Sequence, residues 1–186
     1  MRLFVAAELP ASHRASLADA CESGRRGGVR WVPAENVHLT LKFLGEVEEK
    51  LVPKVEEALA AVAAAAEPFA LSLSDCGCFP NTRAPRVLWV GLGEGAAAAG
   101  ALAAAVDKAL EPLGFAREKR PFKPHLTIGR VKEPRGAAAT AARKIEQLDG
   151  FAAPAEQLEA VALVKSTLTP EGSIYEEIGR WRLGGD

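Results

Sequence analysis

V-H-L-T-L-K-F-L-G at residues 37–45 returns in altered form as P-H-L-T-I-G-R-V at 124–131, and the fold is decided by how these two stretches are read. Each carries His-Leu-Thr followed by an aliphatic residue. In an extended strand, side chains alternate between the two faces. His38 and Thr40 are therefore expected on one face, with Val37, Leu39, Leu41 and Phe43 packed behind them. His125 and Thr127 share a face in the second copy, with Leu126 and Ile128 on the other. The chain has three histidines, and two of them stand in this same setting. The third, His13, falls in the first turn of an expected helix and reads as a solvated surface residue outside the site.

Working outward, Arg2–Leu9 is an apolar run stopped by Pro10 and reads as a strand. Residues 11–23 follow as a helix with Leu17, Ala18 and Cys21 on one face, then G-R-R-G-G-V-R at 24–30 as a basic loop. Leu51, Val52, Val55, Ala58, Leu59 and Val62 recur at helical spacing until Pro68 ends the run. Phe69–Asp75 alternates as a strand, and 77–85, rich in Gly, Pro and Asn, marks the sequence midpoint. Beyond it come a strand at 86–92, a helix at 96–110, the second His-Leu-Thr strand and a helix at 137–148. Two last strands, 158–168 and 173–183, are joined by a Thr-Pro-Glu-Gly turn. Each half is thus strand, helix, His-Thr strand, helix, strand, an internal duplication inside one domain spanning 1–186.

Composition bounds the function. A chain of 186 residues with 48% hydrophobic side chains has ample material for a core, and a formal net charge of −1 supplies no global field for nucleic acid. Attraction for phosphates must be local, and it is: seven basic residues against two acidic ones lie between Arg117 and Arg135. No apolar run approaches the roughly 18 residues that span a bilayer, and the N-terminal apolar run is too short for a secretory signal. Three cysteines, an odd number, argue against a disulfide framework. The expectation is a soluble, cytoplasmic monomer with no membrane partner. C-G-C at 76–78 lacks the second pair a zinc site wants, and G-L-G-E-G at 91–95 matches neither a Walker nor a Rossmann loop.

Two imidazoles on facing strands suit acid–base chemistry. With an unperturbed pKa of about 6.5, one can be neutral while the other is protonated at cellular pH. One takes a proton from water or a hydroxyl while the other gives one to a leaving oxygen, each role bringing about 10²–10⁴-fold in rate. Threonine hydroxyls two residues along can donate to anionic oxygens. Such a pair of His-Thr units would hold a phosphodiester for in-line displacement. Zinc sites take three or four protein ligands, so neither a metal nor another cofactor is expected.

These residues resemble the two-histidine phosphoesterases, and among them the RNA 2′,3′-cyclic phosphodiesterases, also called 2′-5′ RNA ligases or LigT-like proteins. The resemblance is carried by M-R-L-F-V-A at 1–6, H-L-T-L-K-F-L-G at 38–45 and F-P-N at 79–81. It continues in P-R-V-L-W-V at 85–90, P-F-K-P-H-L-T-I-G-R at 121–130 and A-L-V-K-S-T-L at 162–168. It implies an α+β, bilobal, pseudo-duplicated fold: two antiparallel sheets with outer helices and a central cleft carrying two His-x-Thr-x strands. It also implies metal-free hydrolysis of RNA 2′,3′-cyclic phosphate ends to 2′-phosphates, reversible as 2′-5′ ligation, with tRNA-like fragments among the partners. In that mapping His38 is the proton donor, His125 the proton acceptor, and Thr40 and Thr127 hold phosphate oxygens. Lys42 shares parity with His38 and is expected to line the cleft, while Phe43 and Leu44 belong to the core. The family also has an arginine where Arg130 stands. Strict alternation turns Arg130 away from His125, so a phosphate contact there needs a bulge near Gly129. Phe79 and Tyr175 are candidate base-stacking residues. The alternative readings are a phosphodiesterase acting on small cyclic nucleotides or 2′-5′ oligonucleotides, and a non-catalytic RNA-end binding module.

Overall fold

Apolar alternation in the strands and apolar stripes on the helices leave one solution, a sheet covered on one face. The computed structural model describes residues 1–20, 25–133, 136–170 and 172–185. Its strands are β1 (Arg2–Ala7), β2 (Arg25–Arg26), β3 (Val29–Trp31), β4 (Leu39–Glu46), β5 (Phe69–Phe79), β6 (Val87–Leu92), β7 (His125–Val131), β8 (Ala152–Leu158), β9 (Ala160–Leu168) and β10 (Ser173–Arg182). The helices are α1 (Ala11–Ala20), α2 (Val52–Ala65), α3 (Ala96–Leu110) and α4 (Ala137–Gln147). The strands run β10-β9-β1-β4-β7-β6-β5-β8, with β3 beside β7 and β2 beside β3. All pairings are antiparallel.

The two expected sheets are joined at their centre into one. β4 and β7 share a single rung, Leu39 opposite Leu126. The strand order reads the same from either end when β10, β9, β1 and β4 are matched with β8, β5, β6 and β7. Sequence halves and lobes do not coincide. β5, from the first half, pairs with β6, and β9, from the second, pairs with β1. Likewise α1 crosses to pack on β8, and α3 crosses to pack on β4. The loop at the sequence midpoint is therefore a hairpin connection inside one lobe.

Helical spacing supplies the covering layer. Val52, Val55, Leu59, Val62 and Ala63 are the buried stripe of α2, and Ala99, Leu102, Ala103, Val106 and Leu110 that of α3. α3 starts at Gly95 with φ +82, and a side chain there would meet the carbonyl oxygen of Ala70 at 2.3 Å. Only glycine satisfies both demands.

Four local expectations are corrected. β5 does not stop at Asp75 but runs to Phe79, because a bulge between Ser74 and Cys76, with Asp75 at φ 59, resets its pairing with β6. The basic loop contains the β2–β3 hairpin. β8 reads A-A-P-A-E-Q-L, too weakly alternating to announce itself, and its proline is tolerated because the strand is an edge. His13 is fully buried, not solvated. Its Nε2–H donates to the carbonyl of Pro154 at 2.8 Å, tying α1 to the β8 edge it crosses over to reach. Cys21, Arg135 and Glu171 lie outside the described residues. Among the described residues, no helix is long and apolar enough to cross a membrane.

Candidate active site

The Leu39–Leu126 rung brings the two motifs together. Both leucines are buried toward the helices, so His38, Thr40, His125 and Thr127 project from the open face on either side of it. His38 Nδ1–H donates to the carbonyl of Asn36 at 2.8 Å, and His125 Nδ1–H donates to that of Lys123 at 2.7 Å. A carbonyl can only accept, so the proton sits on Nδ1 in each neutral ring. Nε2 is then the nitrogen available for proton transfer. The same backbone anchor, two residues upstream, sets both rings.

Aromatic packing completes each histidine's seat. Phe4 stacks on His38 with centroids 4.7 Å apart at 26°, and Tyr175 meets His38 edge-on at 5.2 Å and 90°. Phe79 meets His125 edge-on at 5.1 Å and 89°, and is itself backed by Trp89 at 5.3 Å. Both candidate stacking residues are thus at the site, each in contact with a histidine. Phe4 and Trp89 were missed, since strand periodicity gives their faces but not their neighbours across β1–β4 and β6–β7. Burial lowers the His38 pKa below its ordinary value; the Asn36 bond opposes this and the positive charge of Arg130 adds to it.

Two bulges redistribute the side chains beyond the threonines. On β4, Thr40 pairs with Ala6 but Lys42, not Leu41, pairs with Val5, and Phe43 pairs with Phe4. On β7, Thr127 pairs with Trp89, Gly129 with Leu88, and Arg130 with Val87. An extra residue just past each threonine, Leu41 or Ile128, inverts the parity that follows, and β4 carries a second such shift at Leu44, beyond Phe43. Arg130 therefore lands on the same face as His125 and Thr127, by the bulge that strict alternation required. Gly129 faces the other way, where a side chain would meet Val29 Cγ1 at 2.9 Å and Trp31 Cε3 at 3.0 Å.

The same inversion corrects the reading of Lys42 and Phe43. Lys42 turns to the helix-covered face, where its ammonium is ion-paired with Asp107 of α3 and donates to the Ala116 carbonyl at 2.8 Å. It does not line the cleft. Phe43 comes to the open face and is 65% exposed, not core. Asp107 is the hub beneath: it also takes Arg117 Nε at 2.8 Å and the backbone N–H of Glu118 at 3.2 Å. Burial alone would raise the Asp107 pKa, but Lys42, the Glu118 N–H and Arg117 outweigh it and hold the carboxyl below the usual range. The charge at Arg117 is thus spent on structure, Arg117 also reaching Glu111 at 3.3 Å. Lys123 lies 6.0 Å from the Phe79 ring centroid, and Arg130 is exposed.

Cys76 and Cys78 are free thiols whose pKa values burial raises, so neither is activated. Among the described residues, no three His, Cys, Asp or Glu side chains are gathered to hold a metal ion.

Residues 8–168 match the 2′-5′ RNA ligase superfamily. A relative from Archaeoglobus fulgidus, an RNA 2′,3′-cyclic phosphodiesterase, is 39% identical over 179 residues, covering 96% of this chain and 98% of its own. Another RNA 2′,3′-cyclic phosphodiesterase, from Methanocaldococcus jannaschii, is 36% identical, covering 97% of this chain and 100% of its own. Among solved structures, TT0787 of Thermus thermophilus superposes with a TM-score of 0.79 at 32% identity, each chain fully covered. E. coli LigT complexed with 3′-AMP superposes with a TM-score of 0.69 at 27% identity, covering 98% of this chain and 97% of that one.

Proposed function

The chain belongs to the 2′-5′ RNA ligase superfamily, and we propose that it hydrolyses RNA 2′,3′-cyclic phosphate ends to 2′-phosphates by His/His acid–base catalysis. The observation carrying this reading is the matched anchoring of the two imidazoles, each through Nδ1–H to the carbonyl two residues upstream. Binding alone has no use for two identically oriented proton-transfer nitrogens; an acid and a base do.

In the proposed reaction His125 Nε2 takes a proton from water, and the water oxygen attacks phosphorus. The bond to the 3′ oxygen breaks on the opposite side, and protonated His38 Nε2 gives that oxygen its proton. One proton enters at His125 and one leaves from His38, and exchange with solvent resets both. Thr40 and Thr127 donate to the non-bridging oxygens, and Arg130 offsets the charge that develops there. Burial and Arg130 disfavour the protonated form of His38 in the free protein. A bound phosphodiester, with its negative charge beside His38, favours it. With a 5′-hydroxyl in place of water, His125 takes the hydroxyl proton, the 5′ oxygen attacks phosphorus and the 3′ oxygen leaves with the His38 proton. The same groups thus form a 2′-5′ linkage, and the reverse of that step cleaves it. The partners in this reading are RNA ends, tRNA-like fragments among them, met in the cytoplasm by a monomer whose single domain is a duplicated unit.

The test is an RNA oligonucleotide ending in a 2′,3′-cyclic phosphate, incubated in excess EDTA. A 2′-phosphate product formed without metal is expected. No turnover, turnover only with added metal, or a 3′-phosphate product would each overturn the mechanism. Faster turnover of a cyclic mononucleotide than of the oligonucleotide end would move the reading to small cyclic nucleotides.

A further inference from the structure

At the end of β7 the chain reads Arg130-Val131-Lys132, and the connection from β5 to β6 sets Arg83 and Arg86 beside it. The ladder runs one bond past the Arg130–Val87 rung, Val131 N–H donating to the Arg86 carbonyl at 2.9 Å. Asn81 Oδ1 accepts from the N–H groups of Arg83 and Ala84 at 3.0 and 3.1 Å, which fixes the turn. This connection, the end of β7 and the first turn of α4 enclose an open cleft of about 430 Å³. Arg83, Arg86 and Lys132 line it, with Val131 and Ala138 among its apolar residues.

The charge of the cleft is one-sided. Arg83, Arg86 and Lys132 are exposed, and among the described residues none of the three has an ion-pair partner. Elsewhere Arg117, Lys165, Arg180 and Arg182 each hold a carboxylate. Glu133 follows Lys132 but does not line the cleft, and among the described residues no acidic or aromatic side chain does. Pockets for small molecules are mostly apolar and aromatic. Three unpaired cations around an open cleft suit the phosphates of a strand instead.

Position decides which strand. Lys132 is seven residues past His125, roughly 20 Å along the strand at about 3.3 Å per residue, so the cleft cannot share the phosphate under attack. The matched strand β4 ends with the opposite charge: Glu46, Glu48 and Glu49 are exposed there, against one Lys50. A polyanion is therefore drawn out along β7 and not along β4. That is the lobe of His125, the histidine that takes the proton of the attacking oxygen in the reaction above, whereas the 3′ oxygen leaves at His38.

We propose that the Arg83–Arg86–Lys132 cleft holds the backbone of a second RNA strand, the one whose 5′-hydroxyl attacks in place of water. This rests on the RNA-end reading above. Hydrolysis has no use for the cleft; joining does. The contacts are to phosphates, so affinity for this strand is independent of sequence and falls with salt.

The experiment uses the full chain, its Arg83→Glu/Arg86→Glu/Lys132→Glu variant and the milder Arg83→Ala/Arg86→Ala/Lys132→Ala variant. Hydrolysis of an RNA oligonucleotide ending in a 2′,3′-cyclic phosphate is compared with its joining to a 5′-hydroxyl RNA oligonucleotide at rising concentration. Anisotropy of that acceptor, carrying a dye at its 3′ end, reports its binding directly. Hydrolysis is expected to be unchanged in both variants, which also shows that they fold. The acceptor concentration that half-saturates joining should rise about tenfold in the glutamate variant, and the salt slope of acceptor binding should become shallower by about 2, for three single-strand phosphate contacts. Unchanged acceptor binding and joining in the variants, or the absence of both in the wild type, overturns the proposal. So does an equal loss of hydrolysis and joining in the alanine variant, which would put the cyclic-phosphate strand in the cleft. Failure of the wild type to turn over any RNA cyclic phosphate end would instead overturn the reading it rests on.

Discussion

Leu39 and Leu126 face each other across the centre of the sheet, both wholly buried, in the one rung that joins β4 to β7. Each directly follows its motif histidine. The pair therefore lies where the two halves of the strand order meet, and its antiparallel register brings one residue of each motif level with the other motif. The placing of the two histidines on either side of one point of the open face follows from that rung.

Removal of either motif histidine is expected to abolish turnover. His38→Ala and His125→Ala should each lower kcat by about 10²–10⁴-fold, with far-ultraviolet circular dichroism unaltered. Near wild-type turnover in either variant would show that the acid–base assignment is wrong.

The His38 imidazole should titrate below its ordinary value in the free protein, for burial disfavours its charged form and Arg130 adds to that. The sign is checkable by NMR of the ring protons. Arg130→Ala should move the midpoint upward, and saturating inorganic phosphate should do the same. If His38 is the donor, kcat/KM, which reports the free enzyme, falls as pH rises through that lowered pKa. A kcat/KM that instead rises through the same range would exchange the roles of the two histidines.

Arg130 should matter for the phosphate alone. A hydrogen bond to a charged group is worth about 1.5–3 kcal/mol, so Arg130→Ala should reduce kcat/KM by about 10–100-fold. Lysine should restore part of this, keeping the charge but not the planar fork. Full activity of Arg130→Ala in low salt would remove it from the site.

The Lys42–Asp107–Arg117 cluster should act on stability and on the loop that leads to His125. Asp107→Asn leaves a buried ammonium without its counter-charge. We expect a loss of about 2–3 kcal/mol, below the about 3–5 kcal/mol for a fully buried pair because Arg117 is exposed. The Asp107 pKa is depressed, so its contribution is present above the unfolded value near ~3.9 and is lost as pH falls through the folded one. Tm measured from pH 7 to pH 3 should therefore drop less steeply in Asp107→Asn than in the wild type. Parallel curves would contradict the depressed carboxyl.

His13 should behave unlike the other two histidines. His13→Ala removes a buried ring and its bond to Pro154, costing about 2–4 kcal/mol. Turnover per folded molecule should stay near wild type, which a chemical denaturation curve paired with a rate measurement would establish.

Much of this was legible in the chain. The repeated His-Leu-Thr, the period-two strands around it and the apolar stripes of α2 and α3 are local patterns, and local patterns survive folding. They were enough to pick His38, Thr40, His125 and Thr127 and to anticipate five elements in each half. β8 was missed because its alternation is weak, and His13 was misplaced because its partner, Pro154, is remote in sequence. Phe43 and Lys42 were exchanged for a sharper reason. Parity along a strand is reset by a single bulged residue, and a bulge belongs to the pairing of two strands, not to either sequence alone. From the chain alone come the candidate residues for the chemistry and their arrangement in two equivalent sets. Tertiary structure decided which faces they occupy past Leu41 and Ile128, which half completes which lobe, and that Arg130 and Phe43 share the open face. Those facts rest on contacts between segments far apart in the chain, and no local periodicity encodes them.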